Sequence, residues 1–366
     1  MTVPFLELGV AYRELISEIE PAVLESLRSG WYIGGDDLEK FECAFASFTG
    51  AKHCIGVANG LDALRLALLS MGVGSGDEVL VPSNTFIATW LAVSQVGATP
   101  VPVEPLESTF NLDPDRLEEA ITSHTKAIIP VHLYGQPANL DPILAIARKH
   151  GLFVLEDAAQ AHGAKYKGRL IGTDGDVVAW SFYPGKNLGA LGDAGAITTN
   201  DAKIAERIRI LGNYGSRTKY VHETLGCNSR LDPVQAVVLS VKLGHLNEWN
   251  ARRVQIAEKY RRELATLPGL KLPEVPEWAE PVWHLFVVRH AKRDVLQASL
   301  KEAGIGTQIH YPIPPHLQKA YLGLGWRKGQ LPTAESLAQS VLSLPMGPQM
   351  DDASVDAVIA ALRRRA

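Results

Sequence analysis

The chain has 366 residues, 46% of them hydrophobic and 21% charged, with 36 Lys plus Arg against 40 Asp plus Glu for a formal net charge of −4. That length suits two domains sharing a cleft, and dispersed charges of both signs exclude a nucleic-acid binder, which needs a basic face. No apolar run reaches the ~18 residues of a membrane span, and Glu7, Arg13, Glu14, Glu18 and Glu20 interrupt any signal-peptide core, so a cytoplasmic protein without a membrane partner is expected. The three cysteines, Cys43, Cys54 and Cys227, form no C-x-x-C pair, which suits a reducing compartment, and each is expected to be a small buried residue. No metal site is expected.

Helical and strand patterns alternate through the first two thirds. Cys54 to Val57 reads as a short strand and Leu61 to Leu69 as a helix. Strands at Glu78 to Pro82 and Thr99 to Val103 flank a helix at Phe86 to Val96. The pattern repeats with strand Ala127 to Val131, helix Asp141 to Lys149, and strands Leu152 to Leu155, Val177 to Phe182 and Ala196 to Thr199. This alternation is the signature of an α/β layer architecture with a largely parallel or mixed sheet. From Pro233 the periodicity becomes helical, ending in a charged helix, Leu246 to Leu267, closed by Pro268-Gly269. Beyond it, strand Trp283 to Val288, helix Val295 to Ala303, strand Thr307 to Ile309, the turn Tyr311-Pro312-Ile313-Pro314-Pro315 and helix Val355 to Arg364 predict a smaller α+β domain. No internal repeat or low-complexity segment is present.

One lysine stands out by its setting. Lys186 lies in Trp180-Ser181-Phe182-Tyr183-Pro184-Gly185-Lys186-Asn187-Leu188-Gly189-Ala190-Leu191-Gly192-Asp193-Ala194-Gly195, with Asp157-Ala158-Ala159-Gln160 upstream. Small residues follow it, where side chains would block a bulky ring. A Walker phosphate loop is excluded, because Asn187 follows the Gly-Lys pair and Trp180 stands where the first glycine belongs. Gly189, Gly192 and Gly195 give G-x-x-G-x-x-G, which is not the dinucleotide spacing.

Pyridoxal phosphate requires four things of a protein, and each has a candidate here. An amine must condense with its aldehyde and later shuttle a proton; a desolvated Lys186 suits this, against the reading of a surface lysine. A carboxylate must hold the ring nitrogen protonated. Asp157, at the end of the strand Leu152-Phe153-Val154-Leu155, suits that, with a capping role and the neighbouring Glu156 as competitors pointing oppositely along a strand. Phosphate favours backbone N–H groups at a helix N-terminus, which Asn59-Gly60-Leu61-Asp62 offers, and Ser181 adds a hydroxyl. A flat surface must face the ring, and Phe86, opening a helix just after a strand, is placed for it unless it is simply a core residue.

These segments together resemble the DegT/DnrJ/EryC1/StrS family of sugar aminotransferases. The resemblance runs through Gly30-Trp31-Tyr32-Ile33-Gly34-Gly35, the Asn-Gly-Leu-Asp turn, Glu156 to Gly163, the Ser-Phe-x-x-x-Lys run, Gly226-Cys227-Asn228-Ser229-Arg230 and Glu248-Trp249-Asn250-Ala251-Arg252-Arg253. It implies the aspartate-aminotransferase-like type I fold, with a large cofactor domain over residues 1–245 and a small C-terminal domain over 246–366. It implies Lys186 as the aldehyde-binding lysine, Asp157 as partner of the ring nitrogen and Gln160 as neighbour of the ring hydroxyl. Gly60, Leu61 and Ser181 would hold the phosphate, and Asn228 would reach in from the second subunit of an obligate homodimer. Relatives that act as dehydratases carry His in place of Lys186, so the lysine favours transamination.

Within the family, the Asn-Gly-Leu-Asp turn, Ser181 to Ala190, Asn213-Tyr214-Gly215-Ser216 and Ile309-His310-Tyr311-Pro312 look like enzymes that aminate C3 of a dTDP-3-keto-6-deoxyhexose with L-glutamate as donor. A 4-keto substrate on the same scaffold is the alternative, and a cofactor-binding regulator is a third. Ala194 departs from the glycine of many relatives. Tyr183, His310 and Tyr311 are candidates for the sugar, against the reading of a structural Tyr-Pro turn. Arg217, Lys219 and Arg230 are candidates for the nucleotide diphosphate, against surface ion pairing.

Overall fold

The computed structural model describes residues 2–365. Seven strands build the main sheet: β1 (His53–Val57), β2 (Glu78–Pro82), β3 (Thr99–Val103), β4 (Thr125–Ile128), β5 (Phe153–Asp157), β6 (Val177–Ser181) and β7 (Gly195–Thr199). Their spatial order is β1-β7-β6-β5-β4-β2-β3. β7 runs antiparallel to both neighbours, whereas every other adjacent pair is parallel. The expected α/β fold with a mixed, mostly parallel sheet is therefore present.

Helices cover both faces, so the central strands are apolar throughout rather than alternating with polar residues. In β6, Val177 and Ala179 pack with Leu64, Leu66 and Trp90 on one side. Val178 and Trp180 pack with Phe41 and Phe45 on the other. Side chains alternate across a strand, so each of these residues commits to one layer. Trp180 is fully buried; truncating it to Ala would cost roughly 3–5 kcal/mol.

Local signals explain the element ends that position the site. Asn59 caps helix Gly60–Ser70 by accepting the Asp62 amide at 2.8 Å, which satisfies one of the unpaired N–H groups of the first turn. Phe86 is the N-cap residue of helix Ile87–Gln95. β4 is shorter than the expected strand, and Val131 instead forms a single parallel bridge with Asp157.

The C-terminal third corrects several expectations. The charged segment expected to start at Leu246 is the second half of one helix, Pro233–Leu264, which begins with proline at its first position and runs unbroken past residue 245. Proline suits that position because its missing N–H would have had no partner there. The helix packs on Ile16–Ser29 and Asp36–Thr49 along one part and on Asp352–Arg365 along another; this packing carries it through Gly244. It stops at Leu264, before Pro268-Gly269.

A second, antiparallel sheet joins Leu270–Lys271, Phe286–His290 and Val341–Leu344. The strand expected from Trp283 begins three residues later, which leaves Trp283 and His284 in a loop. No strand forms at 307–309; Gln308 makes one bridge to Ser343, because the chain turns at Gly306 to pair with Val3. Val3 bridges Ile305 and packs in the same cluster as Phe286 and Leu342, so the segment at Val3 lies with this layer rather than with the main sheet. Cys54 is buried as expected, but Cys43 is exposed and Cys227 half-buried. Among the described residues, no helix is long and apolar enough to cross a membrane.

Candidate active site

A cavity of about 590 Å³ opens beyond the C-terminal ends of β5 and β6, where open α/β sheets place ligands because loops and helix N-termini converge there. The C-terminal layer closes its other side through His284, His310, Tyr311 and Met346.

Lys186 lies on the loop after β6, lines the cavity, and is held by its amide to the carbonyl of Tyr183 at 2.8 Å. Burial pushes its ammonium down to about 8, although the Asp157 carboxylate opposes that shift. Burial disfavours the charged form, and a lysine near neutrality supplies a free amine.

Asp157 ends β5 and is buried. Its carboxylate accepts the Thr89 hydroxyl at 2.9 Å and the Ala159 amide at 3.2 Å. Burial pushes its carboxyl upward, against those hydrogen bonds and the Lys186 charge. Among the described residues no cation lies within ion-pair distance of it. Glu156, its sequence competitor, points the other way. There it accepts from His132 Nε2 at 2.8 Å and from the Gly175 amide at 2.6 Å. The alternation of the strand sends the two carboxylates to opposite sides, and the packing decides which is which: Glu156 is spent on the fold and Asp157 faces the cavity.

The turn at Asn59-Gly60 is pressed between two strand ends. A Cβ on Gly60 would lie 2.6 Å from Ser181 Cβ, and one on Gly195 would lie 2.5 Å from the Asn59 backbone. The amides of Gly60 and Leu61 precede the first intrahelical bonds and have no acceptor among the described residues, while both residues line the cavity. This is the arrangement that receives a phosphate. Phe86 is 51% exposed, which removes the reading of a core phenylalanine. Its ring stands 5.3 Å from that of Tyr311. An uncompensated buried carboxylate, free helix-end amides and an open aromatic face fit a phosphorylated cationic ring such as pyridoxal phosphate.

The remaining candidates divide. Gln160 accepts the Tyr134 amide at 2.6 Å and donates to the Tyr311 hydroxyl at 3.2 Å. Tyr183 lines the cavity and is 58% exposed. His310 accepts or donates at Nδ1 with Ser343 Oγ at 2.8 Å, its carbonyl accepts the Tyr134 hydroxyl, and burial pushes it down to about 4. Burial raises the Tyr311 phenol well above its ordinary value.

Asn228 is exposed and does not line the cavity of its own chain. Arg217 sits on the hairpin of Ser216–Thr218 and Val221–His222, paired with Glu206 and Glu223, and Lys219 lies over the Tyr220 ring. Arg230 donates to Asn213. Within the single chain only Arg217 follows the surface ion-pairing alternative; Lys219 and Arg230 make no ion pair among the described residues. Sequence reasoning missed Phe5, Leu6, Arg253, His284 and Met346. No spacing marks them; only the Glu248-to-Arg253 segment carried any signal, and it named no role.

The sequence profile of the DegT/DnrJ/EryC1/StrS aminotransferase family matches residues 13–363. The chain is 56% identical to a Saccharopolyspora erythraea protein named erythromycin biosynthesis sensory transduction protein EryC1, over 99% of each. It is 52% identical to the dTDP-3-amino-3,6-dideoxy-alpha-D-galactopyranose transaminase of Aneurinibacillus thermoaerophilus, again over 99% of each. The crystal structure of Streptomyces venezuelae DesV in complex with a ketimine intermediate superposes with a TM-score of 0.98 at 54% identity, covering 99% of this chain and 98% of that one. On sequence and structure together, this chain belongs to the DegT/DnrJ/EryC1/StrS aminotransferase family.

Proposed function

We propose that the chain is a pyridoxal-phosphate-dependent aminotransferase that moves the amino group of L-glutamate to C3 of a dTDP-3-keto-6-deoxyhexose. The observation that carries this reading is Lys186, held near a pKa of about 8 in one cavity with Asp157, a buried carboxylate lacking a cation. Relatives named for 3-amino deoxysugar transamination, at 52% and 54% identity, support the C3 assignment. The cofactor, when bound, supplies an electron sink for the carbanion left by proton removal.

The chain's own residues do the rest. Asp157 keeps the ring nitrogen protonated, because a buried carboxylate gains its missing cation there. Gly60, Leu61 and Ser181 bind the phosphate through two amides and a hydroxyl. Phe86 would cover one ring face, and Gln160 would border the ring hydroxyl. Lys186 Nζ would hold the proton removed from the α-carbon of glutamate, serving as general base and then as general acid. Tyr183, His310 and Tyr311 border the sugar.

We place two copies in a cytoplasmic homodimer with shared sites. Asn228, which does not line its own cavity, then enters the partner's, along with the neighbouring exposed side chains of Tyr214, Tyr220 and Leu225; exposed apolar patches of this kind mark contact surfaces. Arg217 and Lys219 on that hairpin would face the partner's nucleotide.

The test is incubation with glutamate and separate 3-keto and 4-keto nucleotide sugars, followed by NMR location of the new nitrogen. Nitrogen at C3 is expected. Nitrogen at C4 replaces the sugar assignment, and a cofactor-loaded protein with no turnover on either sugar points to the regulatory reading.

A further inference from the structure

His284 lines the cavity that contains Lys186, on a loop pinned by side chains from distant elements. Three successive carbonyls of this loop are held by side chains. Asn187 Nδ2 donates to the Val282 carbonyl at 3.0 Å, and Arg253 Nη1 donates to those of Trp283 and His284 at 3.2 and 3.4 Å. Trp283 between them adopts φ +49°, a conformation that costs a bulky residue roughly 1–3 kcal/mol and persists only where its surroundings enforce it. On the opposite side, a Cβ on Gly135 would lie 2.7 Å from the His284 amide nitrogen, so the loop is clamped there too.

The same network sets the imidazole tautomer. Asn250 donates to the His162 carbonyl at 2.8 Å, which leaves its Oδ1 to accept from Asn187 Nδ2 at 3.0 Å. With its amide nitrogen facing Asn250 and Val282, Asn187 turns Oδ1 to His284 Nδ1 at 3.2 Å. An amide oxygen only accepts, so Nδ1 carries the proton. Nε2 is then a bare lone pair; it has no partner among the described residues and is not sealed from the cavity. Burial beside Lys186 and Arg253 keeps the ring neutral.

We propose that His284 is a positioning residue for Lys186: both line one cavity, and Nε2, unpartnered among the described residues, accepts a hydrogen bond from Nζ when the lysine carries the proton and so aims the amine lone pair at the substrate carbon. This rests on Lys186 being the proton carrier of the function proposed above. A neutral acceptor suits this task better than a carboxylate. An anion within about 4–6 Å would raise the lysine by 1–3 pKa units and leave it protonated, whereas an imidazole lone pair orients it without that penalty. Asn187, the residue next to Lys186, links the two by holding the tautomer.

The test uses cofactor-loaded enzyme and α-deuterated glutamate, with single-turnover rates and washout of the label measured for H284N, H284Q and H284F. H284N keeps a donor near Nδ1 and loses the Nε2 acceptor; H284Q restores an acceptor at about the reach of Nε2. H284N and H284F should slow the glutamate half-reaction by about 10- to 100-fold. KM should stay within about threefold and the deuterium isotope effect should rise, because only proton transfer is impaired. H284Q should recover at least about half of that loss on a logarithmic scale. H284N equal to wild type in rate and isotope effect, or H284Q no better than H284N, overturns the proposal. Failure of H284F to fold leaves the H284N–H284Q pair to decide. Failure of the wild-type enzyme to release the α-deuterium from glutamate at all, whether to solvent or to the cofactor, would instead sink the functional reading itself.

Discussion

The two walls of the cavity are built on different principles. The wall at the ends of β5 and β6 is made of groups that each follow from a local rule: a strand-end aspartate, a helix N-terminus, a lysine between small residues. The wall supplied by the C-terminal layer is made of loop residues, His284, His310 and Tyr311, whose placement depends on long-range pins such as Arg253 to the Trp283 carbonyl and Gln308 to Ser343. On the proposed function, the first wall carries the groups for cofactor and proton chemistry, and the second carries the groups that orient. Chemistry tolerates little change of residue type, whereas orientation is obtained from whatever the fold brings near.

This contrast predicts a ranking of losses. K186A should lower turnover by roughly 10⁴-fold or more, measured as amino sugar formed; full activity would erase the distinction between the walls. D157A should cost roughly 10²–10³-fold and weaken cofactor retention, read by absorbance after dialysis, because the ring nitrogen loses its anion. G60A should cost about 1–3 kcal/mol in chemical denaturation, since its Cβ would meet Ser181 Cβ at 2.6 Å, and should weaken phosphate binding more than sugar binding.

The cofactor-free chain supplies a pH test. Lys186 is pushed from 10.5 to about 8 on folding, so between these values the unfolded chain binds the proton more than the folded one does. The penalty is therefore complete below pH 8 and fades as pH rises towards 10.5, giving a rise in stability across that window. Denaturant midpoints of wild type and K186M should converge as pH increases; parallel curves would mean that Lys186 is not desolvated. The smallest effect is expected for R217A, whose ion pairs are exposed on both sides. Folding stability should change by less than about 1 kcal/mol. A higher KM for the nucleotide sugar in that variant would sharpen the shared-site reading.

Much of the fold was legible because apolar runs and capping signals are local. β2 and β3 have the bounds their residue patterns predict, and Asn59 starts its helix as a capping residue should. The errors cluster where tertiary contacts override local pattern. The helix Pro233–Leu264 reads as two textures because its charges are concentrated in the second half, although both halves bury residues against other elements. The Thr307-to-Ile309 pattern suits a strand, yet pairing with Val3 at Gly306 leaves it one bridge. The Cys43 and Cys227 expectations failed because a cysteine's composition-level preference says nothing about which helix face or loop it occupies.

Sequence by itself determined the chemistry-bearing set: the lysine in its small-residue run, the aspartate ending an apolar strand, and the glycine turn entering a helix. These are dictated by backbone sterics, strand alternation and amide geometry, all of which act over a few residues. Tertiary structure alone decided that Glu156 turns away to His132, that Phe86 stays open to the cavity, and that His284 meets it with a bare nitrogen. Each of these depends on which distant groups satisfy a buried polar atom or cover a ring, and a buried donor or acceptor is assigned by its partners, wherever in the chain they lie.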